Sequence, residues 1–239
     1  MLPIRDTVRS TSFPIVTWLF IAFNAVVFLY EISLPSAELN TLIMTFGLIP
    51  GQLELTEPLR LLQNPILLLT FLTLMFMHGG WLHFLSNMWI LFIFGDNVED
   101  RMGSIRFLIF YLISGFTGAL IQAYIFPRST VPAIGASGAI AGVLGAYWVL
   151  FPKAKVITLI PLIFVPWFIE IPAVFYLGFW LVTQIYFGVT SLPNSGVMGG
   201  VAWWAHIGGF VFGLLFHRLF LQRGHPKYYR QYPDEYWPY

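Results

Sequence analysis

The chain has 239 residues, of which 58% are apolar and only 10% charged, with a formal net charge of +1 and no cysteine. A soluble domain carries about 25% charged residues, so this much apolar surface cannot be hidden in one small core, and its solvent is largely lipid. The missing cysteines exclude disulfides, thiolate metal sites and cysteine nucleophiles, and so few cations build no basic face for nucleic acid.

The opening residues, MLPIRDTVRSTSFP, lack the small-residue cleavage site that follows a signal h-region. Residues 1–13 are therefore read as a cytoplasmic segment and the apolar stretch after them as a retained first span. Six stretches are long and apolar enough to cross a hydrocarbon core, which takes about 20 residues as helix. They lie near 14–34, 80–99, 106–126, 135–151, 171–188 and 201–221. The expectation is an all-α polytopic protein with six transmembrane helices over 14–221.

Between the first two spans lies a loop insertion, about 35–79. The long apolar run from Pro65 is broken by His78-Gly79-Gly80, which assigns 65–77 to that insertion, at the membrane surface. The run from Val156 to Val189 is punctuated by Pro161, Pro166 and Pro172, so its first half, up to Trp167, reads as interfacial and not as a seventh crossing. The polar, aromatic tail 222–239, with PKYYRQYPDEYWPY, is expected to be disordered or to lie along the headgroups. Orientation follows from the cations. Arg5, Arg9, Arg101, Arg106, Lys153, Lys155, Arg218, Arg223, Lys227 and Arg230 fall on one side of a six-span chain, and only Arg60 and Arg128 on the other. That asymmetry puts both termini in the cytoplasm.

Polar residues at membrane depth are informative because they are costly there. Ser137 opens the fourth span in Gly135-Ala136-Ser137-Gly138; read alone, it is as well explained by ordinary helix packing as by chemistry. His206 lies about a turn and a half into the sixth span. Spans four and six both run from outside to inside, which gives Ser137 and His206 similar shallow depths. Each is followed by small residues at a spacing of four, Gly138 and Gly142, then Gly209 and Gly213. Such faces let two backbones approach closely; if they meet, hydroxyl and imidazole come within hydrogen-bonding reach, as in an activated nucleophile. His83 and Asn87 stack i, i+4 on the second span at the same depth. Two donors facing a serine suit an oxyanion hole, to which the Ser137 backbone N–H adds a third. A metal site of His78, His83 and His206 is the rival use of the histidines, without a carboxylate or thiolate beside it. This reading places no Asp or Glu on the outer half of a span, with Glu170 toward the cytoplasm. The site is therefore a dyad whose imidazole is held by packing.

Together and in this order, HGGWLHFLSNM, GDNVEDRMG, GASGAIAGVLGAY and AWWAHIGGFVFG resemble the rhomboid intramembrane serine proteases in their basic six-span form, from about Gly47 to Phe216. The resemblance implies Ser137 as nucleophile, His206 as general base, His83 and Asn87 as oxyanion-hole donors, and Glu99 and Arg101 as a structural cytoplasmic pair. It implies a substrate that is itself a transmembrane helix, unwound and cut near the outer leaflet, often after a small residue. It also implies an insertion lying partly in the bilayer. One position departs from the family: where some members carry an aromatic residue one turn after the serine, this chain has Ala141. The resemblance points to a multi-pass protein of the cell membrane whose site opens outward, acting on membrane proteins without a cofactor. A catalytically inactive relative that binds clients is the alternative, and a transporter with His206 as proton relay a further one. The first typically lacks the serine or histidine, and the second needs more midplane polar groups than these spans supply.

Overall fold

The computed structural model of the protein describes residues 2–53, 64–161, 166–192, 200–222 and 230–231. Helices form on all six apolar stretches. Helix α1 (Ile15–Ser33) follows Pro14 and has no side-chain cap of its own. Its first N–H groups are answered from another helix: Val16 and Thr17 donate to the two Glu99 carboxylate oxygens at 2.9 and 2.8 Å. The Thr17 hydroxyl adds a bond at 2.9 Å and Ser104 one at 2.6 Å. A carboxylate there satisfies orphan donors and faces the positive end of the helix.

The described part of the insertion is folded. Helix α2 (Ser36–Phe46) is followed by a 3₁₀ turn, Pro50–Gln52, and by α3 (Pro65–Thr73) with a further turn, Leu74–Phe76. The segment 65–77, expected as a surface loop, is thus mainly helical: Pro65 suits a first helical position, and an unbroken apolar run follows. It meets α4 (Trp81–Met102) at 80°. Helices α4 and α5 (Ser104–Ile125) join through Gly103 alone, at φ +76°, a conformation that side chains disfavour.

Helix α6 (Ser137–Leu150) is buried on every side from Gly138 to Tyr147, packed against α8 (Trp203–Phe216), α5 and α4. Around it Tyr111, Tyr147, Phe94, Phe107, Phe110 and Phe210 form the core. By contrast, α1 and α7 (Ala173–Ser191) turn large apolar side chains outward, among them Phe23, Val26, Phe175 and Val182. Among the described residues α1, α5 and α7 are each long and apolar enough to cross a membrane, and the bent pair α3–α4 makes a fourth. Helix α6, with 14 residues, is about 21 Å long, short of a hydrocarbon core of about 30 Å.

An entirely helical fold is not what forms. Strands β3 (Lys155–Pro161) and β4 (Pro166–Pro172) make a hairpin, and β1 (Leu2–Asp6) pairs antiparallel with β3, giving the order β1-β3-β4. Of the segment 156–167, expected as interfacial, residues 156–161 and 166–167 lie in these strands, and the rest falls outside the described residues. Val156, Ile157, Thr158 and Ile160 favour extended backbone, and the prolines fall where the strands begin and end. At its base Lys155 bonds Glu170 at 2.7 Å. A second ribbon pairs β2 (Val8–Arg9) with β5 (Arg230–Gln231), so that part of the tail is ordered as a strand; most of the rest of 222–239 lies outside the described residues.

The N-terminal segment is sewn along α4. Trp89 donates its indole N–H to the Pro3 carbonyl at 2.6 Å, and Asn97 donates to the Asp6 carboxylate at 2.9 Å. The Tyr147 hydroxyl also donates to Asp6, and Thr11 and Ser12 bond Asp100. Burial pushes the Asp6 carboxyl well above its usual range, against the opposing effect of the Tyr147 bond.

Candidate active site

Ser137 is the first residue of α6. The loop before it is fixed by the insertion: Leu48 and Ala133 exchange backbone bonds at 3.0 and 2.8 Å, and the Gly135 N–H donates to the Leu74 carbonyl at 2.7 Å. Gly135 is at φ +123°. A Cβ there would come within 2.5 Å of His83 Nε2 and 3.7 Å of Ser137 Oγ, so bare backbone is required between the two side chains.

His206, buried on α8, places Nε2 2.7 Å from Ser137 Oγ. The approach depends on glycine. A Cβ on Gly209 would overlap the Gly138 carbonyl oxygen, and one on Gly213 would overlap that of Gly142. The two small-residue faces read from the sequence do meet, backbone to backbone.

What holds the imidazole differs from the expectation of packing alone. Nδ1 lies 2.8 Å from Gln184 Oε1 on α7, a residue the sequence reading misses although it is the one amide in that helix. The ring also has Trp180 at 5.9 Å between centroids and Trp203 at 6.1 Å. Aromatic contact therefore comes from α7 and α8, where Ala141 on α6 offers none.

His83 and Asn87 lie on one face of α4. His83 Nδ1 accepts from the Gly79 N–H at 3.3 Å, which leaves the proton on Nε2, the nitrogen beside Gly135. Asn87 is buried, and its Nδ2 has no hydrogen-bond partner among the described residues; a donor in that condition needs an acceptor. A water-sized cavity borders Ser137, lined also by Leu74, Gly115, Gln122 and Ala205. The Gln122 side-chain oxygen is buried there without a partner among the described residues.

The acidic residues need a correction. The end of α1 that meets the turn before α4 does hold one: Glu31, in the last turn of α1, is buried and accepts the His78 N–H at 3.1 Å. It holds the approach to α4, whereas Gln184 occupies Nδ1 of His206. Glu99 and Arg101 sit at the far end of α4 from His83, where Glu99 caps α1 and the Arg101 carbonyl accepts from Gln222 at 3.0 Å. Among the described residues no three His, Asp or Glu side chains converge as a metal-ligand set.

The Rhomboid domain model matches residues 67–223. RHOMBOID-like protein 4 of Arabidopsis thaliana is 35% identical over 62% of this chain and 33% of its own length. Rhomboid protease GluP of Bacillus subtilis (strain 168) is 35% identical over 82% of this chain and 34% of its own length. Rhomboid-like protease 5 of Toxoplasma gondii is 32% identical over 59% of this chain and 15% of its own. The chain spans half or less of the length of these relatives. With more than half of its residues matched by one family model, the chain belongs to the rhomboid family of multi-pass membrane proteins, which includes serine proteases.

Proposed function

We propose that this chain is an intramembrane serine endopeptidase that hydrolyses peptide bonds in or near transmembrane segments of other membrane proteins. The observation that carries the reading is the 2.7 Å contact between His206 Nε2 and Ser137 Oγ at the half-buried N-terminus of α6. In the proposed reaction Ser137 Oγ attacks the scissile carbonyl as its proton passes to His206. The oxyanion is met by His83 Nε2–H, Asn87 Nδ2–H and the Ser137 backbone N–H. His206 then protonates the leaving amine, and a water deprotonated by the same imidazole cleaves the acyl-enzyme. The cavity beside Ser137 has room for such a water, which can donate to the Gln122 side-chain oxygen, left without a partner among the described residues.

The same reading has six crossings, both termini in the cytoplasm of the cell membrane, and a site opening outward. The shortness of α6 supports it, because a helix of about 21 Å starts below the surface and leaves Ser137 recessed but reachable by water. The decisive experiment is fluorophosphonate labelling of purified protein, together with cleavage of a transmembrane test substrate. Parent protein should label and cut, and Ser137→Ala should do neither while still folding and inserting. A folded parent that fails to label supports the inactive client-binding alternative.

A further inference from the structure

We propose that Gln184 is a positioning residue for the Ser137–His206 pair, fixing the imidazole tautomer in which Nε2 is free to take the serine proton. The inference rests on the protease reading above. Which ring nitrogen carries the hydrogen is set by what the other nitrogen meets. Gln184 Oε1 lies 2.8 Å from His206 Nδ1, and the choice of oxygen over nitrogen at that position follows from the rest of the amide.

The Thr183 hydroxyl donates to the Trp180 carbonyl at 2.6 Å. Its hydrogen is thereby committed, and its oxygen can only accept. Gln184 Nε2 supplies that donor at 3.0 Å and makes a second bond to the Trp180 carbonyl at 3.2 Å. Turning the amide over would set its oxygen against the Trp180 carbonyl oxygen and lose both bonds. The orientation found avoids that oxygen–oxygen contact, and in it Oε1 faces the histidine. An amide oxygen cannot donate, so Nδ1 carries the hydrogen and Nε2 presents its lone pair to Ser137.

The two indoles beside His206 offer no acceptor to Nδ1, so orientation by packing alone leaves the tautomer open. A neutral amide also suits the place. Gln184 is only 5% exposed; an amide there costs far less desolvation than a carboxylate, and it orients the imidazole without adding a buried charge.

The test compares two substitutions. Gln184→Met keeps length and rough volume but offers only a weak sulfur acceptor, whereas Gln184→Glu keeps an oxygen in place. Each is assayed for kcat and KM on a transmembrane test substrate and for fluorophosphonate labelling rate, with folding checked by thermal unfolding. In serine proteases a wrong tautomer costs up to about 10⁴ in kcat. Gln184→Met should lose at least about tenfold in kcat and labelling with KM within about twofold, and Gln184→Glu should recover most of that loss. Equal losses in both variants, no loss in either, or a loss confined to Gln184→Glu overturns the proposal. Should Gln184→Met fail to fold, Gln184→Asn takes its place, being too short to reach Nδ1. Ser137→Ala, run in parallel, separates the two levels. Cleavage that persists there ends the protease reading; cleavage lost there but intact in Gln184→Met ends only the positioning role.

Discussion

Gly209 of α8 and Gly138 of α6 pack backbone against backbone so closely that no Cβ fits between Gly209 and the Gly138 carbonyl oxygen. The serine sits one residue before Gly138, and the histidine three before Gly209. Lipid supplies no hydrophobic push between helices, so this contact rests on van der Waals fit and is sensitive to added volume. Gly209→Ala should reduce cleavage by an order of magnitude or more. Gly213 meets the Gly142 carbonyl with the same severity, so Gly213→Ala should be as damaging to thermal stability even though it lies one turn further from His206. Val211→Leu, on an exposed face, should be nearly silent. A fully active, normally stable Gly209→Ala protein would contradict the contact.

The oxyanion donors give a graded expectation. Losing one donor typically costs about two to three decades in rate, and here three donors share the task. Asn87→Ala should therefore cleave slowly but measurably, whereas His206→Ala should match Ser137→Ala. Single-turnover rates on the three variants decide it; complete loss for Asn87→Ala would give that residue a different role.

The helices were legible in the sequence because each is a long apolar stretch with polar ends, and the pair Ser137–His206 because two rare polar residues each stand near the start of an apolar stretch and are followed by glycines four apart. Other parts gave a weaker signal. Apart from Lys155, Thr158 and Glu170, the strands 155–161 and 166–172 are apolar on both faces, so no period-two alternation marks them, and the β-branched residues between Lys155 and Pro161 are the main hint. Gln184 is the one amide of α7 and Glu31 the one acid of α1. That was the available signal, but the partner that gives each its role is distant in sequence, His206 on α8 for the one and the turn before α4 for the other. That Gly213 meets a carbonyl oxygen as closely as Gly209 does was not readable at all, because it depends on which carbonyl each glycine faces.

Glu99 ties α1 to α4 through two backbone N–H groups at the start of the helix. A glutamine in its place would present one acceptor oxygen where the carboxylate presents two, which orphans one N–H of α1. An unsatisfied buried donor costs roughly 1–3 kcal/mol, so Glu99→Gln should lower the unfolding temperature while molecules that remain folded keep their kcat. A normal melting curve would show that the bonds from Val16 and Thr17 are dispensable.

Asp6 holds the N-terminal strand to α4 and α6 through Asn97 and Tyr147, and its carboxyl is pushed well above the usual range by burial, with Asp96 nearby adding to the effect. A carboxyl with a higher pKa folded than unfolded binds its proton more tightly in the folded state. Its contribution to stability is fully present below the unfolded value, near about 4, and is lost as pH rises through the raised folded value. An asparagine at this position would keep an acceptor for the Tyr147 hydroxyl but carry no proton to lose. The unfolding temperature of the parent, taken relative to Asp6→Asn, should therefore fall steadily as pH is raised from the acid side. Hydrogen exchange across residues 2–12 should quicken over the same range in the parent and not in the variant. Parallel stability curves for the two proteins would mean that Asp6 titrates alike in the folded and unfolded chains, and that the strand is held by its pairing with β3 and the Trp89–Pro3 bond instead.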